Sequence, residues 1–205
     1  MRTAALKSYV DECLARDGAR DHFDKRVKDM AAEGADAPAG RDADALAQLA
    51  QDYVYAVVGM LSECESAAEE RDARRLVEPL IRTAVRYFED PEDLIPDEHG
   101  LYGLMDDAYL AHRFIIELSG RVEKMRGFPL VPSVQDEHLA YIRAIVGDEI
   151  ATRLDERVAR SIQSVEVRNQ MAQLSMLSGT LPTHDSALWN KVKADRARIA
   201  WKPKG

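Results

Sequence analysis

The sequence predicts an all-α fold, a single-domain bundle of six to eight helices that spans residues 1–205. Apolar residues recur at spacings of three and four along almost the whole chain, which is the spacing of one helical face. Alternating runs rich in Val, Ile and Thr, which are typical of strands, are absent. With 205 residues, 46% of them hydrophobic, the chain can enclose one sizeable core and needs no second domain.

Four helices are predicted in the first part of the chain. Two short ones cover about residues 3–16 and 20–32 and end in the stretch EGADAPAG, so we expect a flexible loop at 33–41. A longer helix from about residue 42 presents one broad apolar face, made by Leu46, Leu49, Tyr53, Val54, Val57, Val58 and Leu61. The fourth helix runs from about residue 72 to 88, and Pro79 within it predicts a kink or a later helix start.

The second half of the chain predicts further helices at about 104–124, 134–146 and 148–177, and a last one from about 185. The stretch GFPLVPS ends the first of these with a glycine and two prolines. Gly147 separates the second from the third, and SGTLPTHD ends the third.

The overall charge argues against two classes of partner. Lys and Arg number 28 and Asp and Glu number 36, so the chain carries a net charge of −8. A protein of this charge repels nucleic-acid phosphates and anionic lipid surfaces. We therefore do not expect nucleic acid as a partner.

The cysteines and the hydropathy pattern bear on the cellular compartment. Cys13 and Cys64 belong to no CxxC motif and to no Cys/His cluster with metal spacing, which favours a reducing compartment. The N-terminal stretch lacks the uninterrupted apolar run of a signal peptide, and no stretch approaches the roughly 18 apolar residues that a membrane span needs. We expect a soluble, cytoplasmic protein without a membrane span.

One stretch has an unusual composition. Residues 87–107, YFEDPEDLIPDEHGLYGLMDD, contain eight carboxylates, two prolines and no Lys or Arg, and we call them the acidic corner. In an architectural interpretation the prolines end the preceding helix and Asp93 and Asp97 accept hydrogen bonds from unpaired backbone N–H groups. Asp106 and Asp107 would then lie in the first turn of the next helix, where its dipole favours negative charge.

A catalytic interpretation of the acidic corner is also open. Several carboxylates that converge are stabilised by a cation, so Asp93, Asp97, Asp106 and Asp107 are candidate ligands of a divalent metal. Oxygen ligands favour Mg, Mn or Ca over Zn. With His99 as general base, this arrangement predicts a divalent-metal-dependent hydrolase that acts on a phosphoester.

The order of residues in the acidic corner resembles the motif of the YkvA-like family, a group of small bacterial domains of unknown function. The shared landmarks are Tyr87, Pro91, Asp93, Leu94, Ile95, Pro96, Asp97, Gly103, Asp106 and Asp107, within a YkvA-like region at 76–120. The family continues after its second aspartate with an apolar pair and a proline, where this chain has Glu98, His99 and Gly100. The resemblance implies a fold context, and it implies no activity.

Charge is segregated along the chain. Residues 188–205 contain six Lys and Arg against one Asp, a charge of +5, so the remainder carries −13. From this we predict that the basic tail at 190–205 makes an ionic contact within the molecule or across a dimer. The candidate binding residues are Lys191, Lys193, Arg196 and Arg198 in the tail and Glu98 in the acidic corner.

The sequence favours a binding or regulatory module over an enzyme. HExxH, GxxxxGK[ST] and GxSxG motifs are absent, and His112 is predicted to be a core or interface histidine. We expect a protein partner or self-association, and no cofactor unless the acidic corner binds Mg, Mn or Ca.

Overall fold

The computed structural model describes residues 3–32, 41–70, 72–90, 94–127, 129, 131, 136–174 and 190–194, with the backbone alone at a few of them. These residues form eight α-helices of ten residues or more and contain no strand, which confirms the predicted all-α bundle. The helices are α1 (Thr3–Leu14), α2 (Asp21–Ala32), α3 (Arg41–Glu70), α4 (Arg74–Arg86), α5 (Leu101–Arg126), α6 (Asp136–Val146), α7 (Asp148–Gln163) and α8 (Val165–Leu174).

Helix α5 is the centre of the bundle. It packs against each of the other seven helices. Its first half is buried almost all round, since from Leu101 to Ile115 only Tyr102 and Arg113 are not fully buried. Most of these side chains are apolar, which is typical of a helix inside a protein, and the buried exceptions are Asp106, Asp107 and His112.

The long helix α3 supplies one wall of the core. All seven residues of its predicted apolar face are buried: Leu46, Leu49, Tyr53, Val54, Val57, Val58 and Leu61. Burial of an apolar side chain of this size stabilises a fold by about 1.5–3 kcal/mol. The spacing of apolar residues was therefore sufficient to identify this face.

Helix α4 contains Pro79 well after its first turn. The helix begins at Arg74, shortly after the predicted start near residue 72, and it continues through the proline to Arg86. The Thr83 hydroxyl donates a hydrogen bond of 3.0 Å to the carbonyl oxygen of Pro79. That bond joins the proline to the helical turn that follows it.

The prediction of one helix over 148–177 is wrong. The chain leaves the helical conformation at Ser164, which has φ −58° and ψ 148°, and α8 begins at Val165. The Ser164 hydroxyl accepts a hydrogen bond of 3.2 Å from the backbone N–H of Val167, which is the usual bond of an N-cap serine. The apolar spacing continues across this residue and therefore concealed the break.

Two other predicted segments fall largely outside the described residues. The loop predicted at 33–41 does so except for Arg41, which begins α3. Of the helix predicted from residue 185, the structure describes 190–194, and these residues are helical.

In the described part of the chain, no helix combines the length and the apolar character needed to cross a membrane.

Both cysteines are buried and reduced. Cys13 is 0% exposed and Cys64 is 2% exposed, and neither forms a disulfide. Burial, with a smaller contribution from the charge of Glu63, raises the pKa of Cys64 to about 12. Burial also raises the pKa of Cys13.

We expect neither thiol to react with Ellman's reagent within minutes at pH 8, because a thiol of raised pKa has little thiolate at that pH and the reagent cannot reach a buried sulfur. Both thiols should react at once after unfolding in guanidinium chloride, and the absorbance at 412 nm measures the reaction. If one thiol per chain reacted rapidly in the native protein, the placement of α1, which contains Cys13, or of α3, which contains Cys64, would be contradicted.

Candidate functional site: the acidic corner

The acidic corner joins α4 to α5 through two short turns. A 3₁₀ turn at Tyr87–Glu89 continues α4 and buries Tyr87 and Phe88. At Asp90 the backbone is extended, and residues 91–93 lie outside the described part of the chain. A second 3₁₀ turn at Asp97–His99 leads directly to Gly100 and α5. Asp97, Glu98 and His99 therefore lie on the connection between α4 and α5.

The second turn is fixed to the segment that joins α1 and α2. The backbone N–H of Leu101 donates a hydrogen bond of 2.8 Å to the carbonyl oxygen of Ala19. Gly100 approaches the same carbonyl so closely that an added Cβ would lie 2.2 Å from its oxygen. At φ +61° and ψ −123°, Gly100 also adopts a backbone conformation that side chains disfavour. Glycine is therefore required here for two separate reasons.

Among the described residues, Asp97 accepts its hydrogen bond from a distant tyrosine and not from a backbone N–H group, so the predicted backbone cap is wrong for this residue. The Tyr9 hydroxyl of α1 donates to Oδ2 of Asp97. Burial, together with the hydrogen bond to Asp97 and the charge of that carboxylate, raises the pKa of Tyr9 well above its ordinary value. The hydroxyl therefore keeps its proton and remains a donor at neutral pH. Oδ1 of Asp97 is buried and has no hydrogen-bond partner among the described residues.

Asp106 and Asp107 do not lie in the first turn of the following helix, so that prediction is wrong. Helix α5 begins at Leu101 and not near residue 104, because the bond from Leu101 to Ala19 and the cap at Gly100 start it earlier. Asp106 and Asp107 are 1% and 0% exposed. Oδ2 of Asp106 accepts a hydrogen bond of 3.3 Å from the backbone N–H of Ile95, which holds the corner against α5.

Asp90 is bound to helix α7. Arg157 of α7 forms an ion pair with its carboxylate. The guanidinium carbon of Arg157 also lies 5.6 Å from the centroid of the Tyr87 ring. The Tyr87 hydroxyl in turn donates a hydrogen bond of 3.0 Å to Ser161 of α7. The start of the corner is thus joined to α7 by an ion pair, a cation–π contact and a hydrogen bond.

His99, the candidate general base, stacks on another histidine. Its ring centroid lies 3.8 Å from that of His22 in α2, and the two planes differ by 11°. Glu98 beside it is exposed. The corner therefore contacts the α1 and α2 region through Asp97, His99 and Gly100.

The predicted metal ligands are brought together only in part. Among the described residues, no group of three or more His, Cys, Asp or Glu side chains is placed to hold a metal ion. Asp97 accepts from Tyr9 and Asp106 accepts from Ile95, so these two carboxylates are directed at separate donors. Asp93 lies outside the described residues. A metal bound by all four aspartates therefore stays a prediction.

Outside the acidic corner, the structure places three more of the predicted residues. Lys191 Nζ lies 2.6 Å from Oδ1 of Asp52, a carboxylate that is only 3% exposed. This pair is an ionic contact within the molecule, as the charge segregation predicted. Lys193 is exposed, and Arg196 and Arg198 lie outside the described residues. His112 is 0% exposed and its Nδ1 lies 2.9 Å from the Tyr53 hydroxyl, so it is a core histidine.

No family model, no curated protein and no solved structure matches this chain. The resemblance to the YkvA-like family therefore stays a prediction that rests on the motif in the acidic corner.

Sequence reasoning missed the residues that hold the corner in place. Tyr9 is 88 residues from Asp97 and Arg157 is 67 residues from Asp90. A single sequence contains no signal for contacts at such separations. It also did not single out the arginines of α4, although their helical spacing places them on one face.

Proposed function

We propose that this protein is a small cytoplasmic binding or regulatory module, in which the acidic corner is a structural joint and not a catalytic centre. The observation that carries the proposal is the separate pairing of Asp97 with Tyr9, of Asp106 with Ile95 and of Asp90 with Arg157. A catalytic metal site needs at least three oxygen ligands directed at one point. Two free, buried cysteines support the cytoplasmic assignment.

The surface favours recognition by charge. Among the described residues, Met125 is the only large hydrophobic side chain that is exposed, at 49%. Apolar interfaces between proteins need a contiguous apolar patch, which one methionine does not provide. We therefore propose that a protein partner or a second copy of the chain is bound through charged side chains.

One observation favours the alternative of a metal-dependent phosphoester hydrolase. Oδ1 of Asp97 is buried without a partner among the described residues, and a cation would satisfy it. In that alternative Asp93, Asp97, Asp106 and Asp107 bind Mg, Mn or Ca, and His99 is the general base.

Replacement of Asp97 separates the two functions. We expect Asp97→Ala to lower the free energy of unfolding by about 0.5–2 kcal/mol, because the Tyr9 hydroxyl loses its acceptor. We also expect millimolar Mg²⁺, Mn²⁺ or Ca²⁺ to leave the melting temperature of the wild type unchanged relative to EDTA at equal ionic strength. Thermal unfolding followed by circular dichroism measures both.

Glu98→Ala is the matched control, because it removes the same charge from an exposed neighbour. It should leave the melting temperature within about 1 °C of the wild type, as surface substitutions of this kind usually do. A cation that raises the wild-type melting temperature, with the increase absent in Asp97→Ala, would favour the hydrolase. Manganese-dependent cleavage of p-nitrophenyl phosphate that disappears in His99→Ala would establish it.

A further inference from the structure

Three arginines form a stripe along α4. Arg75, Arg82 and Arg86 are seven and four residues apart, which places them within about 40° of one another around the helix. At 1.5 Å per residue the stripe is roughly 16 Å long. In a chain of net charge −8, it is a local concentration of positive charge.

Two of these arginines have no acidic partner among the residues that the structure describes. Glu78 is bound by Arg82, at 2.6 Å, and by Arg74, at 3.2 Å. The hydrogen bond from Arg82, with the smaller contribution of Arg74, lowers the pKa of Glu78 and keeps it ionised. The side chains of Arg75 and Arg86 are exposed and make no ion pair with any residue that the structure describes. Their guanidinium donors are therefore available.

Clefts lie on both sides of the stripe. One, of about 430 Å³, has Glu65, Glu78 and Glu89 against Arg82 and Arg86. The other, of about 340 Å³, has all three arginines of the stripe. Both volumes fall in the range of small-molecule sites.

The charges distinguish the two clefts. In the smaller one three arginines lie with two carboxylates, those of Glu78 and of Glu166 in α8. Its lining is therefore net positive, whereas three glutamates outnumber two arginines in the larger cleft. We call the smaller one the arginine cleft.

We propose that the arginine cleft binds a small molecule that carries two or three oxyanion groups, phosphate or carboxylate. A planar guanidinium donates two parallel hydrogen bonds to such groups, and Arg75 and Arg86, which pair with no acidic residue that the structure describes, both line the cleft. A small anion fits the volume of the cleft and escapes most of the repulsion that an acidic macromolecule meets from the whole chain. This inference rests on the proposed function, since it names the ligand class of a binding module.

Calorimetric titration with inorganic pyrophosphate, and separately with citrate, tests the proposal. The titrations use full-length protein in EDTA at constant ionic strength. We expect saturable 1:1 binding of at least one anion by the wild type. The double substitution Arg75→Gln and Arg86→Gln should raise its Kd about tenfold or more, because two charge-assisted contacts are lost.

A matched control removes the same charge from another helix. Arg153 and Arg160 of α7 are exposed and contact neither cleft. The double substitution Arg153→Gln and Arg160→Gln should change the Kd by less than about twofold, since salt screens the attraction between the anion and charges on another helix. If both double variants lost the same affinity for the anion, the overall charge of the protein would explain the binding. That result would overturn the proposal.

Two other results would also overturn it. One is the absence of saturable binding of either anion by the wild type. The other is binding of a synthetic octaglutamate peptide without binding of either small anion, which would assign the stripe to an acidic protein. Cleavage of pyrophosphate in the presence of Mn²⁺ would overturn the proposed function, whereas the proposed anion site would stand. The two failures are therefore distinguishable.

Discussion

Replacement of Gly100 by alanine is expected to lower the free energy of unfolding by about 3–5 kcal/mol. The new Cβ would lie 2.2 Å from the carbonyl oxygen of Ala19 and 2.5 Å from its Cα. These are backbone atoms, so no side-chain rotation can relieve the overlap. The conformation of Gly100, φ +61° and ψ −123°, adds strain of its own. Denaturant unfolding followed by circular dichroism measures the loss.

Gly120→Ala is the matched control because it makes the same chemical change within α5. Apart from its chain neighbours and the backbone of its own helix, no heavy atom lies within 4 Å of the position that its Cβ would take. Since alanine favours the helical backbone, this substitution should stabilise the protein by about 0.5–1 kcal/mol. If Gly100→Ala were as stable as the wild type, the acidic corner would not contact the α1–α2 connection as described.

The sequence was sufficient for the fold class because a helix displays its buried face in the spacing of its own residues. The buried face of α3 and the end of α2 at Ala32 were predicted from that local pattern. The break at Ser164 was missed because one serine cap does not interrupt the apolar spacing. Local patterns therefore identify helices better than they identify short interruptions.

The acidic corner illustrates what local patterns omit. Its prolines and aspartates predicted a turn, and the structure contains one. The burial of Asp106 and Asp107 depends on where α5 begins, and that depends on the contact of Leu101 with Ala19. Such a contact joins distant parts of the chain, so neither composition nor spacing could indicate it.

A second large loss of stability is expected from Asp155→Ala. Its carboxylate joins α5, α6 and α7, because Oδ1 accepts hydrogen bonds from the Tyr109 hydroxyl, at 3.1 Å, and from Arg113 Nε, at 3.0 Å. Oδ2 accepts one of 2.7 Å from Arg143 of α6. The substitution leaves Arg113 and the Tyr109 hydroxyl without this acceptor and removes one of the acceptors of Arg143. We expect the free energy of unfolding to fall by about 2–3 kcal/mol, measured by denaturant unfolding.

Asp148→Ala is the control for this prediction because Asp148 also pairs with Arg143, at 3.0 Å, but its side chain is 88% exposed. An exposed ion pair contributes little, so the loss should be less than about 0.5 kcal/mol. Asp155, whose side chain is 30% exposed, differs because water cannot fully replace its three bonds. If both variants lost the same small free energy of unfolding, apolar packing would hold α5, α6 and α7 together. The polar contacts of Asp155 would then contribute little to stability.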